Sequence, residues 1–132
     1  MQYLITPFLA WLVAGILKFL INSFRAKKWA FSLIGYGGMP SNHSAIVSST
    51  TCLIALKEGM ASPAFGLGLT LAFVVLLDAK SLRGEVGKHA QRLNALNQTQ
   101  SPLRERIGHK IDEILAGIAL GCLVACWVFW FF

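Results

Sequence analysis

Two histidines in this chain stand where a histidine can do chemistry. His43 closes the run Gly37-Gly38-Met39-Pro40-Ser41-Asn42-His43-Ser44, a glycine pair and a Pro-Ser turn just ahead of an apolar helix. His109 follows Gly108 and stands four residues ahead of Glu113. Residues four apart on a helix share a face, so Glu113 can orient the His109 ring. Phosphate-ester cleavage without a metal needs a nucleophile, an acid for the leaving oxygen, and fixed positive charge around the phosphoryl oxygens. An oriented His109 suits the first role. His43 suits the second, because helix-start amides beside it can point at a bound anion. Arg83 offers a planar fork for phosphoryl oxygens. Lys18 lies inside an apolar segment, where a charge is costly and by default functional. Arg25 follows seven residues later, two turns on and roughly on the same face. Purely structural readings stand beside these. His109 and Glu113 can be a helix-start histidine with an acidic first turn, and Arg83 and Lys18 can be snorkelling side chains.

The elements that must position these groups are membrane helices. The chain has 132 residues, is 55% hydrophobic and only 14% charged, and has a mean hydropathy of +0.60. A soluble domain is ~25% charged. Only helices or closed barrels span lipid, and no alternating strand pattern supports a barrel. An all-α integral membrane bundle of about four transmembrane helices, forming one domain over residues 1–132, is expected. Tyr3 to Phe24 and Ile111 to Phe132 are long enough to span. Ala45 to Met60 and Pro63 to Leu77 fall short of the ~20 residues of a comfortable span. They are read as a hairpin turned at Lys57-Glu58-Gly59, with a re-entrant hairpin as the alternative. Ser48, Ser49, Thr50 and Thr51 make the first arm polar for lipid, so it should face protein or a wet cavity.

Charge gives an orientation. Arg25, Lys27 and Lys28, with Lys80, Arg83, Lys88, Arg92, Arg104, Arg106 and Lys110, are ten of the twelve basic residues, and they fall in two connections on one side. The positive-inside rule puts both connections in the cytoplasm and both termini outside. The net charge of +6 is thus one cytoplasmic basic face, suited to anionic headgroups. No stacking platform or recognition motif supports nucleic acid as a partner. The first segment lacks the basic start and small-residue cleavage site of a signal peptide. Cys52, Cys122 and Cys126 read as small packing residues, and no metal is expected. The first connection, Arg25 to Asn42, is glycine-rich and turn-like. In the second, Asp78 to Lys110, Leu82 to Leu96 and Leu103 onward look helical around a polar stretch, Ala95 to Pro102, that reads as mobile. Both connections are expected to be functional, and together they bring His43, Arg83 and His109 to one membrane face.

These residues resemble the membrane phosphatidic acid phosphatase type 2 and vanadium haloperoxidase superfamily, and more narrowly its small divergent bacterial and plastid branch. The superfamily pattern is Lys-x6-Arg-Pro, Pro-Ser-Gly-His, then Ser-Arg-x5-His-x3-Asp. Lys18-x6-Arg25 fits the first spacing with Ala26 in place of proline, and Pro40-Ser41-Asn42-His43 fits the second with Asn42 in place of glycine. The branch reads Gly-Gly-Met-Pro-Ser-Ser-His-Ser-Ala, Asp-Ala-x-Gly-Val-Arg, then Gly-His-x3-Glu-Val-x2-Gly. This chain has Gly37 to Ala45, Asp78-Ala79-Lys80-Ser81-Leu82-Arg83, and Gly108-His109-x3-Glu113-Ile114-x2-Gly117. The resemblance implies that His109 is a nucleophile forming a phosphohistidine, Glu113 its orienting carboxylate, and His43 the acid for the leaving group. It implies that Lys18, Arg25 and Arg83, with loop amides near Ser41, hold the phosphoryl oxygens. Asp78 matches the branch motif without an assigned role. His89 sits at the shorter superfamily spacing from Arg83, but Leu93 occupies its carboxylate position, so His109 is preferred.

The expected activity is metal-independent hydrolysis of a lipid phosphomonoester or diphosphate at the cytoplasmic face of a membrane, the bacterial inner membrane being the natural setting, with no cofactor. Phosphatidic acid, phosphatidylglycerol phosphate and isoprenyl phosphates all fit. The alternative is a non-catalytic membrane protein of the same fold that binds an anionic lipid or partner. A vanadate-dependent oxidase is disfavoured by the small membrane-embedded body. Gly66 with Gly68, or Gly117 with Gly121, could form a homodimer face. Internal packing of the spans is preferred for them.

Overall fold

The computed structural model describes residues 1–27, 29, 38–96 and 102–132. Five helices account for most of them: α1 (Gln2–Ala26), α2 (Asn42–Glu58), α3 (Pro63–Leu77), α4 (Arg83–Leu96) and α5 (Ile111–Phe131). A five-residue π turn, Asp78–Leu82, joins α3 to α4 without a break. Among the described residues, three helical runs are long and apolar enough to cross a membrane: α1, α5 and the continuous Pro63–Leu96. The fold is a helical membrane bundle, as the composition predicts.

The fourth expected span behaves differently from the other three. α2 has 17 residues, ~26 Å at 1.5 Å per residue, against a hydrocarbon core of ~30 Å. It packs against α1, α3 and α5. Ser44, Ala45, Val47, Ser48, Ser49, Thr51 and Leu53 are buried along it. The hydroxyls of Ser49 and Thr51 turn back onto carbonyls of the same helix, Ser49 donating to Ile46 at 2.8 Å and Thr51 to Val47 at 2.8 Å. The polar arm therefore faces protein, where Ser49 and Thr51 are satisfied within the helix and the buried Ser44 hydroxyl is left without a partner. The hairpin turn falls at Gly59, whose φ of 82° favours a residue without a Cβ. Ser62 then caps α3 by accepting from the Phe65 N–H at 3.1 Å, with Pro63 at the first helical position.

Small residues let α2 sit close to its neighbours. A Cβ on Gly117 would lie 2.4 Å from the Ser41 carbonyl oxygen, and one on Gly121 would lie 2.5 Å from that of Ala45. A Cβ on Gly68 would approach the Thr51 hydroxyl at 3.2 Å. Gly68, Gly117 and Gly121 thus serve internal packing. Beside this seam lies the core, formed by Ala10 and Ala14 of α1, Ala45 and Leu53 of α2, and Val124, Ala125 and Val128 of α5. Cys52, Cys122 and Cys126 are free thiols, and Cys52 packs against this core. At the far end from His43, Lys57 bonds the Gln2 side chain and lies 5.4 Å over the Tyr3 ring, fastening α2 to α1.

Two sequence expectations in the second connection fare differently. The helix expected over Leu82 to Leu96 is present as α4. The helix expected from Leu103 onward is not, because α5 begins only at Ile111. Residues 103–110 are instead held along α4 by side-chain bonds. Asn94 accepts from the Leu103 N–H at 2.7 Å and donates to its carbonyl at 2.8 Å and to Glu105 Oε1 at 2.8 Å. Gly37, Lys28 and most of the polar stretch between Ala95 and Pro102 lie outside the described residues.

The glycine seam is open to test. Gly121→Ala must push the α2 backbone away and is expected to destabilise by ~1–3 kcal/mol. Gly66→Ala meets nothing within 4 Å and should leave stability unchanged or slightly raised. Thermal unfolding of both variants in detergent, followed by circular dichroism, separates the two outcomes.

Candidate active site

The site is built where the start of α2, the start of α5 and the π turn meet. Ser41 is the N-cap of α2. Its hydroxyl accepts from the Ser44 N–H at 3.4 Å, and its own N–H donates to the Glu113 carbonyl at 2.9 Å. That second bond docks the Pro-Ser turn onto the first turn of α5. The Met39–Pro40 peptide in this turn is cis. Ser41 is fully buried. Its amide is therefore engaged in docking, and its hydroxyl accepts in capping while keeping its own hydrogen to donate. The amides of Asn42 and His43, at the first helical positions, have no intrahelical acceptor.

Glu113 is 3% exposed and organises the start of α5. Its carboxylate accepts from His109 Nδ1 at 3.0 Å, from the Lys110 backbone N–H at 3.2 Å and from the Arg106 guanidinium at 3.2 Å. Three donors offset the cost of burying this charge. The pair is both a helix cap and a His–carboxylate couple, so the two readings of the sequence hold together. A carboxylate accepts hydrogen bonds and donates none, so Nδ1 of His109 carries the proton of this bond, and in the neutral ring Nε2 keeps the lone pair. The His109 side chain is 6% exposed. Its backbone N–H donates to the Ala79 carbonyl of the π turn at 3.0 Å.

The His43 ring stands across from it, with centroids 6.4 Å apart and planes tilted by 57°. Burial holds the His43 pKa below its ordinary value, and the charges of Arg83, His109 and Lys18 push it the same way, while Asp78 opposes them. Those influences also show which groups share the space: Lys18 from α1, Asp78 and Arg83 from the π turn, and His109 ahead of α5. Lys18 also lies within electrostatic reach of Glu113 and Arg104. Arg83 is held by Asp78, Nε to Oδ2 at 2.7 Å. Gly108 approaches the backbone of Gly84 so closely that a Cβ would lie 2.9 Å from it. That contact sets His109 beside Arg83.

His43, Asp78, Arg83, His109, Glu113 and Lys18 are thus brought together. Arg25 is not: it lies exposed in the last turn of α1, ~10 Å of helix beyond Lys18. His89 is exposed on α4. Asn42 lies against α1, its amide nitrogen 4.0 Å from where a Cβ on Gly15 would be. Arg106 on Glu113 and the Asn94 clamp were not legible from sequence motifs. The glycines at 84, 87 and 108 were a usable signal of close backbone approach. Among the described residues, no group of three or more His, Cys, Asp and Glu is placed to hold a metal ion.

Comparison with known proteins adds to this geometry. A family model described as "Divergent PAP2 family" matches residues 1–124. The chain is similar to the uncharacterized membrane protein YuiD of Bacillus subtilis (strain 168), at 28% identity over 149 residues, covering 98% of this chain and 94% of that protein. No solved structure matches.

The lowered His43 pKa sets a pH dependence. Between that value and ~6.5 the unfolded chain binds more protons than the folded one, so stability rises with pH across the window and is lost as pH falls. The His43 ring should titrate below ~6.5 by NMR, and Arg83→Gln should move its midpoint upward. A wild-type midpoint at or above the ordinary value would contradict the packing described.

Proposed function

We propose, from the premise that the chain belongs to the Divergent PAP2 family, that it is a lipid-phosphate phosphatase working through a phosphohistidine. The observation that carries this reading is the His109–Glu113 couple with His43 facing it. His109 Nε2 attacks phosphorus, and the P–N bond forms as the bond to the lipid oxygen breaks. His43 gives its proton to that departing oxygen. Water then attacks the phosphohistidine, His43 takes up the proton released, and the P–N bond breaks to give phosphate and restore His109. His43 is biased toward its neutral form by burial first and by the positive charges around it second. An arriving phosphoryl group offsets those charges and favours the protonated acid that the first step requires. Arg83 and Lys18, with the amides at the start of α2, stabilise charge on the phosphoryl oxygens.

Membrane topology supports a site at the cytoplasmic face. The basic residues flank the His43–His109 end, and by the positive-inside rule this charge favours a cytoplasmic orientation of that end with the termini outside, in keeping with a bacterial inner membrane. A lipid could then present its headgroup to the basic end while its tail stays between helices. Phosphatidic acid, phosphatidylglycerol phosphate and isoprenyl phosphates all carry the required group.

Phosphate release by detergent-purified protein in excess EDTA tests the reading against these three lipids. Wild type should release phosphate from at least one. His109→Ala should lose at least ~1000-fold, and His43→Ala ~100- to 10,000-fold. His89→Ala should match wild type. No release from any of the three would favour a lipid-binding protein of the same fold, and loss confined to His89→Ala would move the nucleophile to that residue.

A further inference from the structure

The π turn does something an α-helical turn could not. In an α-helix the Arg83 N–H would bond the Ala79 carbonyl, four residues back. Here it bonds the Asp78 carbonyl, five residues back. Two consequences follow from that single shift. The Ala79 carbonyl instead accepts the His109 N–H at 3.0 Å. The side chains of residues 78 and 83, which at 100° per residue would stand ~140° apart on an α-helix, come to one side. The Arg83 Nε donates to Asp78 Oδ2 at 2.7 Å.

We infer that Asp78 is a positioning residue for Arg83, and that the π turn is the device that ties the phosphate-binding arginine to the histidine nucleophile. This rests on the phosphatase reading above. The carboxylate takes the Nε hydrogen and leaves the Nη hydrogens of the fork for phosphoryl oxygens. An arginine on a helix end otherwise samples many rotamers, and a fork already oriented loses less freedom when the phosphoryl group arrives. The same turn holds the His109 backbone through Ala79. Nucleophile and cation are therefore mounted on adjacent carbonyls of one turn, those of Asp78 and Ala79. Gly84 and Gly108, in backbone contact beside them, close the join. Both side chains of the pair are about one-third exposed, so its worth lies in orientation more than in stability.

A double-mutant cycle tests this with two readouts. The first is vanadate binding, followed through the His43 and His109 ring signals by NMR. The second is turnover of the best lipid phosphate. Asp78→Asn keeps the size of the side chain and removes the charge. It is expected to weaken vanadate binding about tenfold and to lower kcat/KM ~10- to 100-fold, with the melting temperature unchanged. In an Arg83→Ala background the same change should have no further effect on either readout. Asp78→Glu should recover part of the loss. Equal losses from Asp78→Asn with and without Arg83, or full vanadate affinity in Asp78→Asn, would overturn the inference. Vanadate binding by wild type without turnover of any lipid would remove the catalytic reading alone, leaving the binding cycle to decide the role of Asp78. A wild type that does not bind vanadate would remove both.

Discussion

The arrangement depends on one buried carboxylate. Glu113 orients the His109 ring, closes the first turn of α5 through the Lys110 N–H, and draws in the Arg106 guanidinium. Its backbone carbonyl meanwhile receives the Ser41 N–H and so anchors the turn that delivers His43. Side chain and main chain of one residue thus join the two histidine-bearing segments. A charge this deep is tolerable only while its donors are in place. The pieces of the site therefore constrain each other, and the couple cannot loosen without loosening the helix start.

A second constraint lies beneath the first. The site is assembled from short sequence stretches far apart in the chain, so the helices bearing them must approach closely. Gly117 and Gly121 let the backbone of α5 touch that of α2 at the carbonyls of Ser41 and Ala45. This contact begins one turn below Glu113. Structural economy and placement of His43 against His109 are the same event: separating α2 from α5 by the width of one methyl group would also separate the rings. On the other flank, α4 continues α3 and carries a glycine face against which 103–110 lies, so His109 is held from both sides.

Much of this was legible in the sequence because it rests on local spacing. The four-residue step from His109 to Glu113, the long apolar runs of α1 and α5, and the amphipathic flank that became α4 all follow from helical periodicity. The preference for internal packing at Gly117 and Gly121 also held. What escaped had long-range causes. Residues 103–110 contain good helix formers, yet Asn94 captures the Leu103 backbone and the chain stays non-helical as far as Lys110. The π turn adds one residue to a helix and leaves no mark in composition, so nothing in the string Asp78-Ala79-Lys80-Ser81-Leu82 announces that residues 78 and 83 will pair. The hydroxyls of α2 signalled protein contact, but not that the helix would be enclosed by three neighbours.

That enclosure bears on how the molecule is made. α1 and α3 can enter lipid on their own apolarity, whereas a short helix rich in serine and threonine has little drive to leave the translocon alone. α2 reaches a stable place only when partners surround it, and α5, synthesised after all of them, supplies the surface carrying Gly117 and Gly121. The packing of α5 on α2 also sets His109 across from His43. The contact that shelters the polar face of α2 is thus the same one that assembles the site.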